Sequence, residues 1–130
     1  MNVIIQKSSA KGSITAPPSK SMAHRLLISA ALSDGVSRVR GISSCEDVLA
    51  TIDCLRALGI KAEKVGNDVI VEGKSFREVK PQAPLECRES GSTLRFMIPL
   101  AALSGHTTVF SCQRKPWKVY PTVRKTGNRQ

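Results

Sequence analysis

Apolar positions along this chain switch between two periods, and the switches mark its elements. Val3-Ile4-Ile5 is a short apolar run that predicts a strand, and Gly12 to Thr15 is a second candidate. Ala16-Pro17-Pro18 interrupts regular structure, because neither proline can donate to a ladder. From Ser21 to Ser33 the period becomes helical. Met22, Ala23, Leu26, Leu27 and Ala30 share one side, Ser19 or Ser21 can cap the start, and Asp34-Gly35 supplies the stop. Alternation returns over Val36 to Ile42, which predicts a strand. Ser43 or Ser44 caps a second predicted helix. It carries Glu46 and Asp47 in its first turn, where the helix dipole favours acids, presents Val48, Leu49, Ile52 and Leu55, and stops at Gly59. Ile60 to Val65 and Val69 to Val71 flank Gly66-Asn67-Asp68 and predict a hairpin. Pro81 to Pro84 is a loop, and Leu85 to Cys87 a short strand. Ser90 to Ser104 is a helix broken or kinked at Pro99, and Thr107 to Phe110 a last strand.

Alternation of strands and helices in this order predicts an α/β layer protein. With 130 residues, the chain is one small domain or part of a larger one. Only 4% of residues are aromatic, so the core must be built from Leu, Ile, Val and Ala. No apolar run approaches the roughly 18 residues a membrane span needs. Met1 to Lys11 alternates rather than following a secretory-signal pattern, so the expected location is cytoplasmic. Cys45, Cys54, Cys87 and Cys112 show no C-x-x-C pairing and no nearby histidine, which predicts reduced, buried thiols and no metal site. The net charge of +10 raises nucleic acid as a partner, but Arg114, Lys115, Lys118, Arg124, Lys125 and Arg129 crowd into an acid-free tail from 111 to 130. The body before it is only mildly basic, which suits an enzyme of anionic substrates. A basic nucleic-acid-binding module is the alternative from another class. It lacks a stacking platform, because Phe76, Phe96 and Phe110 are scattered. Neither common nucleotide fingerprint is present.

Two segments carry the candidate chemistry. In Pro17-Pro18-Ser19-Lys20-Ser21-Met22-Ala23-His24-Arg25, Lys20 stands at a helix start, where free N–H groups and the dipole already favour an anion. Ser21 and Arg25 are four apart and share a face. A hydroxyl, an ammonium and a guanidinium therefore meet at one helix mouth, a receptor for phosphate or carboxylate. In Glu89-Ser90-Gly91-Ser92-Thr93-Leu94-Arg95-Phe96, a Gly-containing turn feeds another helix. Gly91 lets a ligand approach the backbone, Ser92 and Thr93 offer hydroxyls, and Arg95 adds charge one turn in. The bland alternative for each segment is a capped helix with solvated cations. His24 reads as a boundary residue rather than a catalyst, Asp47 and Asp53 as ordinary helix acids, and Trp117 receives no role.

These same segments resemble a known family. Ile14-Thr15-Ala16-Pro17-Pro18-Ser19-Lys20-Ser21, with Arg25, Leu26 and Ala30-Ala31-Leu32-Ser33-Asp34-Gly35, resembles the opening motif of EPSP synthases (3-phosphoshikimate 1-carboxyvinyltransferases). Asp47, Leu55 and Leu58-Gly59-Ile60 resemble the family's second helix and its exit, and Ser90 to Phe96 its second motif. The sister family acting on UDP-N-acetylglucosamine is the alternative relative. It typically has Lys-Asn-Ala where this chain has Lys20-Ser21-Met22. The resemblance implies an incomplete enolpyruvyl transferase-like lobe built from βαβαββ units. Residues 1–18 would belong to the other lobe, 19–110 would form the first unit and part of the second, and 111–130 would be a divergent basic tail. It implies shikimate 3-phosphate and phosphoenolpyruvate as substrates, with no cofactor, metal, nucleic acid or membrane involved. Lys20 would contact both substrates, Ser21 and Arg25 would hold the shikimate, Gly91 would lie against phosphoenolpyruvate, and Arg95 would assist. The catalytic acid and base would lie outside this chain, in the missing C-terminal part of the same enzyme. Glu89 stands where the family usually has Asn, and the resemblance fades beyond Phe110.

Overall fold

The computed structural model describes residues 3–4, 6–7, 9, 11–75 and 78–113. The tail from 114 to 130, Ile5 and Phe76 lie outside the described residues. The expected strand at the start is not found at Val3 and Ile4, which are exposed and unpaired, and Gly12 to Thr15 is not a strand either.

The first helix, α1, spans Lys20–Leu32. Ser19 caps it in extended backbone and its hydroxyl accepts from Met22 N–H at 3.3 Å. Ala23, Leu27, Ala30 and Ala31 are buried, the i, i+4, i+7, i+8 stripe of a helix lying on a core. The chain turns at Gly35, whose φ of 91° suits glycine, into β1 (Gly35–Val39). Helix α2 (Glu46–Ala57) follows. Its N-cap is Cys45, without a side-chain bond, and not the serines at 43 or 44. Glu46 and Asp47 in the first turn take over the stabilising role a capping hydroxyl would have had.

Strands β2 (Lys61–Val65) and β3 (Asp68–Gly73) form the predicted hairpin through Gly66-Asn67, with Val65 opposite Asp68. The sheet order is β1-β3-β2, with β3 antiparallel to both neighbours. β1 and β2 therefore run the same way, linked across β3 by α2. Asp68 ties the hairpin to β1, accepting from Arg38 Nε at 2.9 Å and from Gly41 N–H at 3.1 Å. Val69 and Val71 on β3 and Ala62 on β2 are buried, while Val36 and Val65 are exposed. One sheet face thus carries the core, packed against α1 and α2.

A second unit starts at β4 (Leu85–Glu86), continues through α3 (Gly91–Leu103) and returns at β5 (Phe110–Ser111). β4 and β5 pair in parallel, as a helical crossover requires. Two expectations fail here. The last strand begins at Phe110 rather than Thr107, and of the expected break or kink at Pro99 the break is absent, since α3 runs on through it. Pro99 faces solvent, so water can satisfy the carbonyl its missing N–H leaves free. The buried side of α3, Thr93, Met97, Leu100 and Ala101, keeps its spacing.

Gly73 marks the tightest contact in the fold. It pairs with Gly35, and a Cβ built there would stand 1.9 Å from the Ser33 carbonyl oxygen and 2.5 Å from that of Ala30. The end of α1 rests directly on β3, and Lys74 N–H donates to Ala31 O at 3.1 Å. Gly73→Ala must push backbone apart. We expect it to cost about 3 kcal/mol or more of stability, read from the urea midpoint. An unchanged midpoint would show that the α1–β3 contact yields freely.

Candidate anion-binding site

Helices α1, α2 and α3 begin side by side. Lys20, the first residue of α1, places Nζ 3.0 Å from Asp47 Oδ2 in the first turn of α2. Thr93, in the first turn of α3, donates to the carbonyl of the same Asp47 at 3.1 Å. Arg25, one turn into α1, lays its guanidinium over the Phe96 ring of α3, 5.4 Å from the centroid. The two candidate segments, far apart in sequence, are therefore brought together.

The three helix starts differ in charge. α2 carries its own acids in the first turn, whereas α1 and α3 carry none. Ser19 Oγ takes the Met22 N–H and Ser90 Oγ takes the Thr93 N–H at 3.2 Å. This leaves the N–H groups of Lys20 and Ser21, and of Gly91 and Ser92, without an acceptor among the described residues. α2 has no side-chain cap, and Glu46 and Asp47 set negative charge at its positive end, which α1 and α3 lack. Lys20, Ser21, Arg25, Gly91 and Arg95 are all exposed. Lys20 is held in its charged form by the hydrogen bond and charge of Asp47. Arg25 Nη1 donates to Ser21 O at 2.8 Å, which fixes the guanidinium beside the helix mouth. A Cβ added to Gly91 would meet nothing within 4 Å, so the space against this residue is open. Arg95 lies one turn beyond Gly91 on the same face of α3, with no ion pair among the described residues.

A cleft of about 180 Å³ adjoins this end, lined by Glu46, Asp47, Arg88, Glu89 and Gln113. Three carboxylates to one guanidinium make it unsuited to an anion, and Arg88 is already occupied by Glu46 and, at 2.6 Å, Asp53. Glu89, where an acid beside an anion site would repel ligand, lines this cleft. Arg88 has a φ of 51°, the one positive value at a non-glycine residue among those described, and it turns the chain from β4 toward α3. Nothing in the sequence singled it out.

Beneath the surface a hydroxyl relay joins the three helices. His24 Nδ1 lies 2.7 Å from Thr51 Oγ1, Thr51 Oγ1 lies 2.9 Å from Thr93 Oγ1, and Thr93 Oγ1 lies 2.8 Å from Ser90 Oγ. All four residues are buried. A carbonyl only accepts, so the order that ends on Asp47 O runs from His24 Nδ1–H to Thr51, Thr51 to Thr93, and Thr93 to the carbonyl. Two expectations change. His24 is not at a boundary but inside, and the Thr93 hydroxyl is spent on this relay rather than offered to a ligand. The signal available in the sequence was spacing. His24 sits four residues from Lys20, and Thr51 four from Asp47, polar groups one turn behind the site.

The fold and this end of it define a class: a layered α/β chain that gathers two acid-free helix starts, a lysine and an arginine at one end. The family profile described as EPSP synthase (3-phosphoshikimate 1-carboxyvinyltransferase) matches residues 4–114. The chain belongs to the EPSP synthase family. A 3-phosphoshikimate 1-carboxyvinyltransferase of Clostridium kluyveri is 41% identical over 128 residues, covering 95% of this chain and 30% of the relative. One of Clostridium beijerinckii is 45% identical over 108 residues, covering 78% and 25%. The solved EPSP synthase from Acinetobacter baumannii superposes with a TM-score of 0.62 at 30% identity, covering 68% of this chain and 21% of that one. The chain thus spans about a third or less of the length of the relatives it matches. The Clostridium kluyveri alignment covers enough of the chain to run past Phe110 into the basic tail.

Two outcomes test this geometry. Thr51→Val keeps the shape and removes the central hydroxyl, leaving the buried His24 Nδ1 without its partner while Thr93 keeps Asp47 O and Ser90. The urea-unfolding free energy should fall by about 1–3 kcal/mol, and no loss would mean the relay holds nothing. Burial lowers the pKa of His24, with Lys20 and Arg25 pushing the same way and Asp47 opposing. The unfolded chain then takes up a proton near pH 6.5 that the folded chain refuses. Stability is fully present above that pH and declines as pH falls toward the folded value, by at most about 1.4 kcal/mol per unit. Urea midpoints at pH 7.5 and 5.5 should differ more in the unaltered chain than in His24→Gln, and equal slopes would exclude His24 as the cause.

Proposed function

We propose that this chain supplies one wall of an enolpyruvyl-transfer site, with shikimate 3-phosphate and phosphoenolpyruvate as the substrates. The observation that carries this reading is the convergence of two acid-free helix starts with Lys20 and Arg25 between them. The names of the relatives supply the substrate class. Lys20 leaves the exposed pair with Asp47 for a ligand phosphate, reaching both substrates. Ser21 and Arg25 hold the shikimate substrate, and the Phe96 ring keeps the guanidinium from swinging away. Phosphoenolpyruvate lies against Gly91, where the backbone is bare and the N–H groups of Gly91 and Ser92 face it. Arg95 adds positive charge one turn further on.

In the reaction the 5-hydroxyl gives its proton to a base, its oxygen adds to the phosphoenolpyruvate carbon bearing the phosphate, and the methylene carbon takes a proton from an acid. Loss of phosphate and of a proton from the methyl group so formed then restores the double bond in the product. The substrates' phosphates and carboxylates bring negative charge into the site, and more builds on the departing phosphate; fixed cations and N–H dipoles stabilise it without rearranging. The proton-transfer groups, and the remainder of the enzyme that closes on the substrates, are the partners this chain needs. By itself it should release no phosphate above background in a steady-state assay containing both substrates. Turnover at an enzyme's normal rate would refute this division of labour.

A chimera tests the assignment. Residues 1–110 of this chain replace the aligned segment of the Clostridium kluyveri relative. The chimera should be active, and Lys20→Ala within it should lower kcat/KM at least about 100-fold, the scale for removing one transition-state contact. Gly91→Ala should leave stability within about 0.5 kcal/mol of the parent, since its Cβ meets nothing, yet raise the KM for phosphoenolpyruvate several-fold. An unchanged KM would show that the ligand does not touch this turn.

A further inference from the structure

We propose that Cys54 and Cys87 form a disulfide when the protein meets a hydroperoxide, with Cys112 as the thiol through which oxidation enters. Cys54 on α2 and Cys87 just after β4 are fully buried, with their sulfurs 4.0 Å apart. Cys54 Sγ lies 3.6 Å from the Glu86 carbonyl oxygen, so it rests against the end of β4. Bonded sulfurs sit about 2.05 Å apart, so closure requires a movement of about 2 Å. The pair bridges a separation of 33 residues and would join α2 of the first unit to the strand that opens the second.

Cys112 provides the route from solvent. β4 and β5 pair Leu85 with Phe110 and Glu86 with Ser111, and Cys87 N–H donates to Ser111 O at 2.8 Å. One more step in register sets Cys112 level with Cys87, and Cys112 is only half-buried. Cys45 stands apart, nine residues before Cys54 and about 13 Å along the helix axis. Burial raises the thiol pKa of Cys112, and hydrogen bonding to Cys54 with burial raises that of Cys87, so the reaction is slow at neutral pH.

The chemistry balances in three steps. The Cys112 thiolate attacks a peroxide oxygen, the O–O bond breaks, and water leaves after taking a proton, giving a sulfenic acid. Cys87 attacks the Cys112 sulfur, and the displaced hydroxide departs as water with the Cys87 proton. Cys54 then attacks the Cys87 sulfur and its proton passes to the departing Cys112 thiolate. Two thiols have lost two hydrogens, and hydrogen peroxide has become two waters.

The test uses the full chain with hydrogen peroxide, followed by denaturation in an alkylating agent and mass spectrometry. The expected product carries two alkyl groups instead of four, and a proteolytic peptide holding Cys54 is linked to one holding Cys87. Cys112→Ser should slow formation at least tenfold, and Cys45→Ser should leave the rate unchanged. Four alkylated cysteines, or a cross-link between Cys87 and Cys112 as the final product, would overturn the proposed disulfide. An unchanged rate in Cys112→Ser would overturn the entry role.

Discussion

The arrangement of this end of the molecule depends on a chain of buried hydroxyls. His24, Thr51, Thr93 and Ser90 come from α1, α2, the first turn of α3 and its cap. Apolar packing would hold these helices together but would allow them to slide, since dispersion contacts have little direction. Hydrogen bonds of 2.7–2.9 Å between buried groups do have direction, and breaking one leaves a desolvated polar atom. No buried side-chain nitrogen or oxygen among the described residues lacks a partner, so the network is closed. It fixes the level of three helix starts relative to one another. Every surface feature of the candidate site is built on that level.

Above the relay, electrostatics separate the helix starts. Glu46 and Asp47 set negative charge at the positive end of α2, and with Glu89 they line the acidic cleft. The starts of α1 and α3 carry no acid and keep unused N–H groups. Positive charge and free N–H groups thus lie at Lys20, Ser21, Arg25 and Gly91, and the carboxylates lie in the cleft beside them. Asp47 belongs to both sides. Its carboxylate pairs with Lys20 at the surface, and its carbonyl terminates the relay below. A ligand that takes Lys20 away from Asp47 would be felt directly at the anchor of the buried network.

The rest of the surface fits a chain that covers about a third of its relatives. Met22 and Leu26 on α1, Ile98 and Leu103 on α3, and Val109 before β5 are exposed apolar side chains. Among the described residues, no helix is long and apolar enough to cross a membrane. Among the described residues, the sheet of the first unit has three strands and that of the second has two.

Local chemistry made much of this legible without coordinates. The period changes located α1, α2, the hairpin and α3 to within a few residues, because burial of one face dictates the spacing of apolar side chains whatever they pack against. Pro17-Pro18 followed by Ser19-Lys20, and Ser90-Gly91, marked the two helix mouths, since caps and dipoles act within a single turn. The errors share a cause. Pro99 was read as a break or kink because a lone helix loses a hydrogen bond there, and its position on the solvent face lets the helix run on without a break. Thr93 was read as a ligand hydroxyl and His24 as a boundary residue because the partners that bury them on other helices lie 27 to 46 positions away along the chain. The pairing of Lys20 with Asp47, the seat of Arg25 on Phe96 and the turn at Arg88 are likewise contacts between distant segments. Spacing within a helix is written in the order of residues. Which helix start meets which, and which hydroxyl is left for a ligand, follows from packing in three dimensions.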